Sequence, residues 1–213
     1  MKETDLIKNL ASDLKPFKAA EGMTKFLLKW SGCTLIIMII AYFSLPARAD
    51  ILTEMETLRF HLENFFWFVA SLSSGIAFYF SAFPQKMKNS LWIPAVFSLV
   101  ALFLIILSGI RTETITEELH GEFSLWRGRC GFIITGISLI HAGFLGNWAR
   151  KAAPRNGAVT GFWAALSASA MGCLFMQVVC THQNTVHLLL WHLLPLTVVC
   201  FAGQKIGRTL LRW

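Results

Sequence analysis

Five cysteines and six histidines carry most of the chemistry open to this 213-residue chain, and two of the cysteines are placed differently from the rest. Cys130 follows Arg127 and Arg129 at the start of a long apolar run, and Cys180 closes the next apolar run just before Thr181-His182-Gln183-Asn184-Thr185. If those runs cross a membrane in opposite directions, both thiols reach the same water-facing edge. Outside the reducing cytoplasm, thiols can oxidise to a disulfide or hold a soft metal ion. The two arginines favour a thiolate at Cys130, which raises its nucleophilicity and metal affinity. Position alone leaves a redox or metal switch level with two unrelated interfacial thiols. Topology sets depth only, whereas a disulfide also needs Cα atoms within about 7 Å.

The histidines fall into two groups. His120, His182 and His187 belong to the same face as the two thiols and are the candidate auxiliary metal ligands, since imidazole and thiolate together suit zinc, copper and related ions. Cys180-Thr181-His182 is not itself a zinc spacing. His141 and His192 are deeper. His141 stands eleven residues beyond Cys130, ~16 Å along a helix. Ionisable groups inside a membrane are functional candidates, and two helical histidines can ligate haem. A neutral imidazole hydrogen-bonded to a neighbouring helix is the plainer reading of both, and of His61. Cys33, Cys173 and Cys200 lie within apolar runs, where a thiol packs as a small hydrophobe. No nucleophile, base and orienting group recur together, so the chain is read as a non-enzyme with no catalytic residue.

The elements that position these side chains follow from composition. With 55% hydrophobic and 15% charged residues, eight Trp and eighteen Phe, a soluble domain would expose too much apolar surface. Six segments are long enough to cross a hydrocarbon core, which takes ~20 residues: Phe26–Leu45, Asn64–Phe83, Trp92–Ile110, Cys130–Trp148, Ala158–Cys180 and Val186–Gly203. The first follows more than twenty mostly polar residues and is read as a retained span, not a cleaved signal. The fifth is rich in small residues from Gly161 to Gly172, which permits close helix contact, and Pro195 is placed to kink the sixth. The fold class is all-α: a polytopic membrane protein, a six-transmembrane-helix bundle with a short amphipathic cytoplasmic N-terminal helix.

Charge orients the bundle. Fourteen of the nineteen Lys and Arg residues fall at the N-terminus, in the second-to-third and fourth-to-fifth connections and at the C-terminus. The positive-inside bias therefore makes both termini cytoplasmic and puts Cys130 and Cys180 outside. The basic balance reflects membrane orientation, with attraction to anionic lipid second. No basic folded reader of nucleic acid is visible, and direct nucleic-acid binding is not expected.

Residues 1–25 form a cytoplasmic arm, 26–206 the six-span membrane domain and 207–213 a cytoplasmic tail. In the arm, Leu6, Ile7, Leu10, Leu14 and Phe17 gather on one face of a helix. Thr4 can cap its start, and Pro16 disfavours its continuation. So short a helix is marginal alone in water and needs a partner for its apolar face, either the inner leaflet or a groove on another protein.

The segment Leu6-Ile7-Lys8-Asn9-Leu10-Ala11-Ser12-Asp13-Leu14-Lys15-Pro16, the fifty-residue spacing of Cys130 and Cys180, the Ala152-Ala153-Pro154 connection and Trp191 after Cys180 together resemble the NrsF-type bacterial membrane anti-sigma factors. The likeness covers nearly the whole chain. It implies an inner-membrane protein that sequesters an extracytoplasmic-function sigma factor at its cytoplasmic face. It makes Cys130 and Cys180 the candidate sensors of heavy metal or oxidative stress, and Leu6, Ile7, Leu10, Asp13, Leu14 and Pro16 the candidate sigma-factor contacts. No obligatory cofactor is implied, only transient heavy-metal or zinc binding at the cysteine pair; the partners are a sigma factor and the lipid bilayer. The family often has a histidine before the second cysteine and a Pro/acid-rich stretch after it. Here Val179 precedes Cys180 and a neutral polar stretch follows, where His182 can stand in for the missing acids. The rival readings are a haem- or quinone-linked membrane redox protein using the deeper histidines, or a small transporter.

Overall fold

The computed structural model describes residues 22–83, 89–109, 127–182 and 184–211. Among them every regular element is helical, and six helices are long and apolar enough to cross a membrane. These are α1 (Met23–Ser44), α2 (Leu58–Ala82), α3 (Ile93–Leu107, entered through a 3₁₀ turn at Asn89–Trp92), α4 (Arg129–Arg150), α5 (Gly157–Val179) and α6 (Thr185–Leu210). The candidate arm residues Leu6, Ile7, Leu10, Asp13, Leu14 and Pro16, and His120, lie outside the described residues.

α5 is the centre of the bundle. Its most apolar stretch is 78% buried, against 17% for α1, because its run of Ala, Ser and Gly lets α2, α4 and α6 approach on all sides. Ser71 Oγ donates to the Ser167 carbonyl and Ser167 Oγ donates back to the Ser71 carbonyl, at 2.8 and 2.9 Å. Hydroxyls thus tie α2 to α5 at the buried centre of the bundle. Peripheral α1 and α3 turn Leu35, Ile36, Ile40, Phe43, Phe97 and Leu104 outward, as helices facing lipid do.

Two helices depart from the hydropathy boundaries. α2 begins at Leu58, six residues before Asn64, because the Thr57 hydroxyl accepts from the Phe60 N–H and caps it. Arg59, His61 and Glu63 therefore stand on the helix itself. α6 runs past residue 206 to Leu210, and instead of a simple kink ahead of Pro195 it carries a π-helical turn at Leu188–Leu193. There the Leu194 N–H reaches back five residues to the Leu189 carbonyl.

Candidate functional site

Cys130 is the second residue of α4, and Cys180 caps the C-terminus of α5 with extended backbone, its N–H donating to the Met176 carbonyl at 2.8 Å. Because the two helices pack antiparallel, the coincidence in depth becomes contact: Cys130 Sγ donates to Cys180 Sγ at 3.2 Å. Both are free thiols, 9% and 3% exposed.

Two imidazoles close on the pair from α6. After Cys180 the chain turns at once, and the Asn184 side chain accepts from the His187 N–H at 2.7 Å, capping the new helix. That cap fixes His187 in the first turn, with Nε2 3.3 Å from Cys180 Sγ. His192 follows five residues later. On an α-helix five residues subtend about 500°, so the two rings would diverge by about 140°; the i→i+5 winding of the π-turn realigns them. The ring centroids are 5.6 Å apart. One potential ligand atom from each of Cys130, Cys180, His187 and His192 falls within 4.8 Å of the others. His192 is 1% exposed, and neither ring nitrogen makes a hydrogen bond of good geometry, although one lies close enough to the Cys180 sulfur to interact with it, an arrangement that leaves buried polar atoms poorly satisfied.

Close helix approach lets α6 reach the start of α4. A side chain at Gly128 or Gly131 would meet the Trp191 ring, and one at Gly131 also Pro195. His182, the nearest histidine to Cys180 in sequence, is not among the four. It is half-buried, its ring centroid is 5.1 Å from that of His187, and its backbone carbonyl accepts from Cys180 Sγ at 3.5 Å. Arg129, Cys130, Cys180, Thr181 and His182 line a cavity of about 140 Å³ that opens beside the thiols.

Ion pairs frame this end of the bundle. The Arg48 N–H donates to the Val178 carbonyl at 3.0 Å, pinning the α1–α2 connection to the end of α5. The Arg48 guanidinium is buried and makes two 2.7 Å bonds to Asp50 and a 3.1 Å contact to Glu54. The hydrogen bond to Asp50 is the main reason the Arg48 pKa is raised; burial opposes it, and the charges of Glu54 and Asp50 act in the same direction as the hydrogen bond. Hydrogen bonding from Arg48 in turn holds the Asp50 carboxyl down at about 2. Further in, Arg59 bonds Glu63 at 2.7 Å, and Gln177 of α5 donates to the other carboxylate oxygen at 3.1 Å. In the sequence these acids enter only the charge balance; Arg59 and Glu63 pair within one helix turn, whereas the Gln177 bond depends on α5 lying beside α2.

The other candidates settle elsewhere. His141 Nε2 lies 3.4 Å from the Thr34 hydroxyl of α1, a helix-to-helix hydrogen bond. His61, in the first turn of α2, bonds the Met55 carbonyl of the preceding connection at 2.7 Å. Cys173 Sγ lies 3.7 Å from the His192 carbonyl and Cys200 Sγ 3.9 Å from the Ser169 hydroxyl, both buried, while Cys33 is half-buried. His192, placed by the sequence with His141 among the deeper histidines, instead stands beside the two thiols. Its five-residue offset from His187 signals a shared face only once the π-turn is known.

Two sulfurs and two imidazole nitrogens converging on one point are a donor set suited to a borderline-soft, tetrahedral ion, and the poorly satisfied His192 nitrogens fit that use. Comparison with known proteins supplies the remaining evidence. No curated protein and no solved structure matches the chain. The family described as "NrsF: Negative regulator of sigma F" matches residues 10–213. The chain belongs to the NrsF family, the negative regulators of sigma F.

Proposed function

We propose that this chain is a bacterial inner-membrane anti-sigma factor. It holds an extracytoplasmic-function sigma factor at the cytoplasmic face and releases it when Cys130 and Cys180 meet a heavy-metal ion or an oxidant at the opposite face. Family membership supports negative regulation of a sigma factor. The observation that carries the sensing half is the 3.2 Å contact between two free thiols held on different helices, so that any chemistry joining them acts directly on the α4–α5 contact.

Release has a thermodynamic requirement. A ligand shifts a bundle only by its difference in affinity for two bundle states. α4 and α5 are joined at their far ends through residues 151–156, and a change in their packing at the cysteine end is felt there. The amphipathic arm bearing Leu6, Ile7, Leu10, Asp13, Leu14 and Pro16 is the proposed sigma-factor contact, with its apolar face supplying the area.

Co-purification tests both halves. Candidate sigma factors are captured with the wild-type chain, with a variant lacking residues 1–21, and with Cys130→Ser/Cys180→Ser. The wild type and the double variant are expected to retain a sigma factor and the arm deletion to lose it; metal or oxidant releases it only from the wild type. Failure of the wild type to retain any sigma factor defeats the proposal. Normal release from the double variant defeats the sensor assignment alone.

A further inference from the structure

We infer that Cys130, Cys180, His187 and His192 together form one four-coordinate N₂S₂ site for a divalent ion of the zinc class, with the π-turn of α6 supplying the fourth ligand. The inference deepens the sensor reading above and rests on it for the ion's regulatory consequence, though not for its binding.

Geometry comes first. A tetrahedral ion with bonds of about 2.3 Å to sulfur and about 2.0 Å to nitrogen spaces its ligand atoms roughly 3.3–3.8 Å apart. The cluster already holds Sγ to Sγ at 3.2 Å and Sγ to His187 Nε2 at 3.3 Å, and every pair of ligand atoms within 4.8 Å. Side-chain shifts of about 1 Å close the tetrahedron. The four residues arrive from three separate places: the start of α4, the end of α5 and the first two turns of α6. An ion seated there ties three helices, where a bond between the thiols ties two.

Charge points the same way. The site is buried, with His187 and His192 at 0% and 1% exposure, and a net charge there is costly. Two thiolates cancel a dication, and two neutral imidazoles complete its coordination without adding charge. Binding exchanges two thiol protons for the ion, which the solvent takes up, and needs no oxidant. Access is also ordered. The thiols line the cavity of about 140 Å³ and the two rings do not, so an incoming ion meets sulfur first and imidazole behind it. His192, whose ring nitrogens make no hydrogen bond of good geometry, stands within 4.8 Å of both sulfurs to receive it.

The test titrates the full chain, reduced and in lipid nanodiscs, with Co(II) and then displaces it with Zn(II). The wild type is expected to give the visible bands of tetrahedral Co(II) with thiolate charge transfer. His187→Ala and His192→Ala should each weaken binding more than about tenfold, since even groups behind a ligand are worth 10–100-fold. His182→Ala should change nothing. His192→Cys guards against a merely misfolded alanine variant: it should keep tetrahedral binding and strengthen the charge-transfer band. Unchanged affinity and spectrum in both alanine variants would show that the thiols hold the metal alone and overturn the inference, as would a wild type that binds no Co(II) or Zn(II). Sigma-factor release on the same samples separates the two readings. Tight four-ligand binding without release sinks the sensor and leaves the site, and metal-driven release that survives both histidine changes together with unchanged Co(II) affinity sinks the site and leaves the sensor.

Discussion

At the end of the bundle away from the cysteines, Phe26, Phe78, Tyr79 and Phe83 surround Trp148 with ring centroids 4.9–5.9 Å from it, while Gly157 and Gly161 of α5 lie directly against Gly207 and Gly203 of α6. At the cysteine end the same helices meet through thiols, imidazoles, ion pairs and an open cavity. Shape holds the first end. Tilted and edge-on ring packing and glycine contact have one good arrangement, and small displacements lose it. Polar groups at the second end have more than one partner available: in the proposed site, a Cys180 sulfur that now faces Cys130 and His187 turns to an ion instead. The contrast teaches where a bundle can change without coming apart, since a sensor needs alternatives at one end and a rigid lever toward the other.

The contrast breaks most visibly at Gly161. Any side chain there drives into the Gly203 backbone carbonyl, which cannot swing aside, so Gly161→Leu should cost about 3 kcal/mol or more, read as a collapse of the thermal unfolding midpoint in detergent. Glu63→Ala comes next and shows that the cysteine end also has a fixed part. It strips Arg59 and Gln177 of their shared partner, but Arg59 is 37% exposed and water replaces part of the loss, leaving about 2 kcal/mol in the same assay. Cys130→Ser should be nearly silent in stability, below about 1 kcal/mol, since it exchanges one weak hydrogen bond for another. A loss as large as that at Gly161 would mean that the thiols are packing residues and would erase the difference between the ends. The smallest effect is that of pH on the Arg48–Asp50 pair. With Asp50 held at about 2, its contribution is complete above the ordinary carboxyl value near 3.8 and is lost as pH falls through about 2. Wild type and Asp50→Asn should therefore keep a constant stability difference from pH 7 to about pH 5, and the difference should shrink as pH falls further and through about 2.

Much of this organisation is legible in the sequence. Six apolar runs of span length give the helices, and alternating direction puts Cys130 and Cys180 at one level. Lateral arrangement is not legible, because hydropathy says how deep a residue lies and nothing about which helix stands beside it. Glu63 with Gln177, and Arg48 with Val178, belong to that class. Gly157-x-x-x-Gly161 and Gly203-x-x-x-Gly207 lie between the two. Their four-residue spacing was available as a signal for close contact, although only the packed bundle shows that each faces the other. The place of His192 beside the thiols was hidden for a different reason: helical periodicity assumes 3.6 residues per turn, and His192 stands in a turn that departs from it.

That turn has a consequence at the other end of the same helix. A π-turn takes up one residue more than an α-turn, and one residue is worth about 100° of rotation. Everything beyond Leu193 is thus turned by roughly that angle relative to a uniform helix begun at Thr185. Gly203 and Gly207 face Gly161 and Gly157 only in this phase. The residue that brings His192 round to the sulfurs also dials the far half of α6 onto its glycine seat, so the winding of one turn is a shared setting that neither end can alter privately.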